Sequence, residues 1–304
     1  MTFTVHPVPA MGAEDVLVAP DGTVYTGTED GALWAVDPAS GSTRRVADTG
    51  GRPLGIELLA GGDLLVCDAE RGLLRVSPGS GAVEVLLDRV DGRAMKFCNN
   101  AAVAADGTVW FSDSSLHYGV AQWKDDFVQD TRTGRLVRRD PDGTVAVVLD
   151  GLAFANGVAL AADDSFVCVA ESRGRTVVRL WLSGPRAGQR DHLAADLPGY
   201  PDNISRGSDG LIWVTVASPV DSLVERLGSA PMVLRRAVTK IPEALQPRPR
   251  STIRVQAFAD DGRLVHDIDL DHTGYHMVTG VREHDGKVWM GSLHEPSVAV
   301  YDLA

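Results

Sequence analysis

The sequence predicts an all-β fold, a six-bladed β-propeller, on three observations. A strand, a tight Asp/Gly turn and a second strand recur six times along the chain. Most copies lie about 40–50 residues apart, the length of a four-stranded blade. The segments between them lack the regular helices that a parallel barrel requires.

The turns come first in the argument. Pro20-Asp21-Gly22, Gly61-Gly62-Asp63, Ala105-Asp106-Gly107, Ala162-Asp163-Asp164, Ser208-Asp209-Gly210 and His284-Asp285-Gly286 each precede a run rich in Val, Trp, Phe or Tyr. Glycine supplies the positive φ that such hairpins demand. Third strands follow, as in Ala32-Leu33-Trp34-Ala35-Val36, and fourth strands, as in Val83-Glu84-Val85-Leu86-Leu87. The last copy has only three, ending in Ser297–Asp302, while Thr2-Phe3-Thr4-Val5 is a β-prone strand with no blade of its own. The N-terminal strand is therefore expected to complete the last blade and close the ring, leaving no open edge. One propeller domain would span 1–304.

Two spacings are long. Extra segments run around Leu116–Arg135 in blade 3 and Pro219–Arg250 in blade 5. The second carries Leu, Met and Val at helical intervals, so short helical insertions are expected. Both leave from the end of a second strand, which places them over the mouth where first strands begin. Loop-lined mouths are where ligands bind.

Composition narrows the function. The 304 residues are 44% hydrophobic, enough for a core, with a formal net charge of −12. Lysine and arginine are scattered, which argues against nucleic acid or an anionic membrane as partner and favours a small-molecule substrate. The first residues show no basic-then-apolar leader, and Cys67, Cys98 and Cys168 are odd in number and far apart. A reduced, cytoplasmic setting without structural disulfides is the expectation.

One position repeats chemistry as well as structure. Seven residues before the turn Asp stand Glu14, Asn99, Asn156 and Asp202, in blades 1, 3, 4 and 5. Blades 2 and 6 have no clear polar match, with Glu57 and Thr279 nearby. Equal offsets put these side chains at equivalent points of the innermost strands, so they converge on the axis. Two carboxylates and two amides form a hard-oxygen set suited to Ca2+, although another divalent cation would also fit. Without a cation, two carboxylates about 5–6 Å apart repel by roughly 3 kcal/mol at an effective dielectric of about 20.

The runs Phe97-Cys98-Asn99-Asn100, Phe154-Ala155-Asn156-Gly157 and Pro198-Gly199-Tyr200-Pro201-Asp202-Asn203, with Val177–Pro185 and Glu283-His284-Asp285-Gly286, cover nearly the whole chain in order. The sequence resembles the strictosidine synthase-like branch of the calcium-dependent propellers, the superfamily of regucalcin, gluconolactonases and paraoxonases. The resemblance implies that Glu14, Asn99, Asn156 and Asp202 bind the metal. It also implies a calcium-dependent hydrolase of lactones or related esters, with Asp202 as ligand and candidate base or nucleophile and Asn203 orienting substrate or water. Three departures stand out against the family pattern. Asn100 replaces the usual Asp after Asn99; Thr279 stands where strictosidine synthases carry an essential Glu, which disfavours condensation; and Leu54 falls where paraoxonases have a histidine.

His117 and His276 flank the expected mouth and are candidate acid/base or substrate contacts, as is His294 beside Glu295; Trp123, Phe127 and Met232 are candidate pocket walls. Cys98 and Glu171 read as structural. The competing readings are an enzyme of another reaction class on the same scaffold, running condensation or cyclisation, and a non-catalytic propeller with structural calcium.

Overall fold

The six turns close the inner hairpins of six four-stranded antiparallel sheets. The computed structural model describes residues 2–241, 253–270 and 273–303. Gly22, Gly62, Gly107, Gly210 and Gly286 all take positive φ, and in the fourth turn Asp164 does so at 55°. The turn aspartates cap their own loops: Asp21, Asp106, Asp163 and Asp209 each accept a bond from the backbone N–H two residues on.

Blades 1 to 5 are consecutive. Their innermost strands are Leu17–Val18, Pro53–Leu58, Cys98–Val103, Ala155–Leu160 and Gly199–Arg206. Blade 6 takes Val278–His284, Lys287–Ser292 and Ser297–Asp302 from the C-terminal end, and Phe3–Pro7 from the N-terminal end. Phe3 pairs with Tyr301 and Pro7 with Ser297, so the first strand closes the ring as expected.

The core consists of apolar slabs between neighbouring blades rather than one central mass. Between blades 3 and 4, for example, Trp110 and Leu136 pack with Val158, Val167 and Val169. Between blades 4 and 5, Phe166 and Cys168 pack with Ile204, Ile212 and Val214. This explains strands that are apolar on both faces, such as Leu64–Asp68, every residue of which is buried. The three cysteines are buried free thiols in these slabs.

The blade 3 insert forms a 3-10 turn, Val120–Gln122, and helix α1, Trp123–Gln129. The blade 5 insert forms α2, Ser222–Gly228, and α3, Met232–Val238, divided at Pro231. Its part from 242 to 250 lies outside the described residues. Helices of seven residues do not stand alone in water. These three lean on one another and on the propeller face. Asp221 caps α2 through the N–H groups of Leu223 and Val224.

Candidate metal centre and its cavity

The register of the inner strands builds the site. In blades 2 to 6 the pairing of the first and second strands skips two residues, a bulge. The skipped pairs are Leu54-Gly55, Asn99-Asn100, Asn156-Gly157, Asp202-Asn203 and Thr279-Gly280. Glu14-Asp15 stands in the matching place just before the short inner strand of blade 1. A bulge re-aims a side chain that a regular ladder would hold in the sheet. The first member of every pair lines a single cavity of about 990 Å3: Glu14, Leu54, Asn99, Asn156, Asp202 and Thr279. The four oxygen-bearing residues singled out by sequence offset thus share one ring. Leu54 and Thr279 fill its other two places. Glu57 belongs elsewhere, paired with Arg282 at 2.5 Å.

The second members alternate: Asp15, Gly55, Asn100, Gly157, Asn203, Gly280. Each acidic or amide residue faces a glycine across a blade boundary. A Cβ on Gly157 would lie 2.1 Å from the Ile204 nitrogen, and one on Gly280 would lie 2.7 Å from the Asp15 Cα. Asp15 Oδ2 accepts from the Ile56 N–H at 3.0 Å, and Asn100 Oδ1 from the Val158 N–H at 2.9 Å. These side chains therefore bond backbone groups next to the bulge of a neighbouring blade. Asn203 differs: its amide donates to Glu14 Oε1 at 3.1 Å.

The donor atoms are presented in one sense. Asn99 Nδ2 donates to Ser114 Oγ at 2.9 Å, and Asn156 Nδ2 to Ser172 Oγ at 3.2 Å. Ser114 in turn donates to the Ala155 carbonyl at 2.7 Å. With both amide nitrogens bonded to serines, Asn99 Oδ1 and Asn156 Oδ1 are buried without a hydrogen-bond partner among the described residues, as is Glu14 Oε2. Orphaned buried oxygens are costly, and several in one ring require an explanation.

Electrostatics point the same way. Burial pushes the Glu14 carboxyl well above the usual range, and the charges of Asp15 and Asp202 add to this against Arg52 and the Asn203 bond. Asp202, which keeps part of its surface open to the cavity, is pushed up to about 7, chiefly by burial and against a bond from Asn156. Asp15 is raised to about 6, again by burial, with Arg282 opposing. Buried carboxylates in this state gain from a cation. Amides supply half of the donors. Among the described residues no three His, Cys, Asp or Glu side chains form a group that could hold a metal ion by themselves.

Above the ring one wall is apolar, while Glu29, Arg52, Lys124, Asp125 and Asp221 also line the cavity. Leu54, Phe97, Phe127, Phe154 and Tyr200 pack as one cluster with Trp123 and Val224 against it. The Phe127 ring meets Tyr200 edge-on at 4.9 Å, and Phe154 at 5.9 Å. Helices α1 and α2 roof this space. Arg173 of blade 4 pairs with Glu225 of α2 at 2.8 Å and also donates to the Val224 carbonyl.

Of the other residues singled out by sequence, Trp123, Phe127 and His294 line the cavity, but His117, His276 and Met232 do not. His276 Nδ1 lies 2.8 Å from Glu295 Oε1 at the surface, and His117 offers its carbonyl to Lys96. Met232 is 40% exposed on α3. His294 is held below the usual histidine range, chiefly by burial. Asn203 lies beneath the ring, bonded to Glu14. Glu171 is structural, accepting from the Ala153 N–H at 2.8 Å. Sequence reasoning missed Arg52, Phe154 and Tyr200, although each stands two residues before a ring position.

The fold and ring define a six-bladed propeller with a central oxygen-donor site. The chain belongs to the SMP-30/gluconolactonase/LRE-like family, whose profile matches residues 25–228. A strictosidine synthase-like N-terminal profile matches residues 7–36. The chain is 33% identical to strictosidine synthase-like 10 of Arabidopsis thaliana over 325 residues, covering 97% of this chain and 86% of that one. It is 32% identical to the human adipocyte plasma membrane-associated protein over 317 residues, 93% of this chain and 75% of the relative. Among solved structures, a gluconolactonase from Xanthomonas campestris superposes with a TM-score of 0.72 at 16% identity, covering 99% of this chain and 89% of that one. A calcium-binding regucalcin from Agrobacterium tumefaciens gives 0.68 at 11% identity, covering 98% and 91%. At such identities these two show the shared fold. Among the described residues no helix is long and apolar enough to cross a membrane.

Proposed function

We propose that this chain is a hydrolase of lactones or related esters that depends on a divalent cation, calcium by donor chemistry, held by Glu14, Asn99, Asn156 and Asp202. The observation that carries the reading is the set of buried, partnerless oxygens on Glu14, Asn99 and Asn156, with both amide nitrogens tied back to serines. Four donors fall short of the 6–8 oxygens that calcium takes, so water and substrate have places to fill. The bound cation would supply Lewis-acid stabilisation of charge that develops on a carbonyl oxygen.

The rest falls to the chain's own residues. Asn203 holds Glu14 in position through its amide. Asp202, open to the cavity, is the candidate to accept a proton from water or to act as nucleophile. The aromatic wall and the helical roof offer apolar surface to the body of a substrate beside the reacting centre. Condensation of the strictosidine synthase kind finds no carboxylate at the sixth ring place, where Thr279 donates its hydroxyl to the Glu14 carbonyl at 2.8 Å.

The test is elemental analysis of the purified protein together with a lactone and aryl-ester panel, assayed with and without chelator and with Asp202→Asn. Cation-dependent turnover that fails in the variant supports the reading. Turnover indifferent to chelator rejects it. A tightly held ion with no turnover on any substrate favours a binding protein.

A further inference from the structure

Two residues before each ring position stands a second tier: Gly12, Arg52, Phe97, Phe154, Tyr200 and Met277. All but Gly12 line the cavity. Four of the six are aromatic or Met, and Arg52 is the only charged one. It is 7% exposed, and among the described residues its guanidinium makes one hydrogen bond, from Nη1 to the Gly12 carbonyl at 3.1 Å. A Cβ on Gly12 would lie 2.9 Å from Arg52 Nη2, so the guanidinium occupies the space that a side chain at Gly12 would take. Glu14, Glu29, Asp68 and Asp30 act on it only through space. A guanidinium is a planar fork of five donors, matched in shape to a carboxylate. Here it is nearly buried, in a cavity wall, with most of that fork unused.

We propose that the cavity selects ligands carrying a carboxylate on an apolar body, with Arg52 taking the carboxylate and Phe97, Phe154 and Tyr200 the body. This rests on reading the cavity as the substrate site, and it narrows the substrate to acid-bearing esters or lactones.

The probes are octanoate and 1-octanol, equal in chain length, titrated calorimetrically into the full chain with calcium and with chelator. Octanoate is expected to bind at least about tenfold tighter in both conditions, the scale of one charge-assisted bond. The preference should weaken with salt, and Arg52→Gln should abolish it while Arg52→Lys keeps part. Equal binding of the two probes by the unmodified protein overturns the inference, whether or not the variants fold. So does a preference that needs calcium and survives Arg52→Gln, since the carboxylate would then sit on the cation. A retained octanoate preference without ester turnover would count against the hydrolase reading and leave this one standing.

Discussion

The Arg173 guanidinium, buried in blade 4, meets the half-exposed Glu225 carboxylate of α2 at 2.8 Å, and Tyr200 donates its hydroxyl to the same oxygen at 3.0 Å. One carboxylate thus ties the helical roof to two blades. Glu225→Ala leaves the guanidinium with only its bond to the Val224 carbonyl, at a cost of about 1–3 kcal/mol. The loss should appear as a lower midpoint in denaturant and faster protease cleavage within 219–241. Cleavage unchanged from the parent would show that the Glu225 carboxylate does not hold the roof in place.

Cation binding is expected to stabilise the fold, because an ion that binds only the native state raises Tm by mass action. Asn99→Ala and Asn156→Ala each remove one donor, and each should reduce the calcium-induced rise. Protons compete for Glu14 and Asp202, both held above the ordinary range. The rise should therefore be smaller at pH 5 than at pH 8. Thermal unfolding with and without calcium at the two pH values measures this.

Gly157 admits no side chain. A Cβ there would lie 2.1 Å from the Ile204 nitrogen and 2.6 Å from the Asn203 Cα, both backbone atoms that cannot swing aside. Gly157→Ala is expected to cost about 3 kcal/mol or more by forcing blades 4 and 5 apart, read by equilibrium unfolding. The same change at Gly22, with nothing within 4 Å, costs only the strain of its positive φ.

Away from the site, Asp191 is held down at about 2, first by its bond to Arg179. A depressed carboxyl contributes stability above its unfolded value of 3.8, and that contribution is lost as pH falls through about 2. Asp191 is partly exposed, so screening limits the contribution to about 1 kcal/mol. Asp191→Asn should destabilise at pH 6 and be nearly neutral at pH 2, as urea midpoints would report.

The blades were legible in the sequence because a propeller repeats its turn chemistry, and the four oxygen-bearing ring residues because that repeat carries them at one offset. The two remaining ring places, Leu54 and Thr279, were reached through the family resemblance and not through the offset, because their turns differ. In blade 2 the third turn position is Gly61, not Asp63: the Leu59 N–H bonds the Asp63 carbonyl just as the Ala19 N–H bonds that of Thr23. Counting seven back from Gly61 reaches Leu54. In blade 6 the hairpin loop is only Asp285-Gly286, because His284 pairs directly with Lys287, and the offset shortens to six, at Thr279. The aromatic tier and Arg52 carried no sequence signal of their own, since their meaning depends on the ring beneath them. His117 and His276 were placed by loop position, which fixes where a backbone leaves a sheet but not where a side chain points.

The pairing of Phe3–Pro7 with Ser297–Asp302 has a kinetic consequence. Five blades consist of neighbouring strands and can assemble as each is synthesised, whereas the sixth joins residues nearly 300 positions apart. Until that strand docks, Ser297–Asp302 presents an unpaired edge to other chains. Slow refolding with concentration-dependent losses, relieved in a circular permutant that makes this blade contiguous, would be the signature of that late closure.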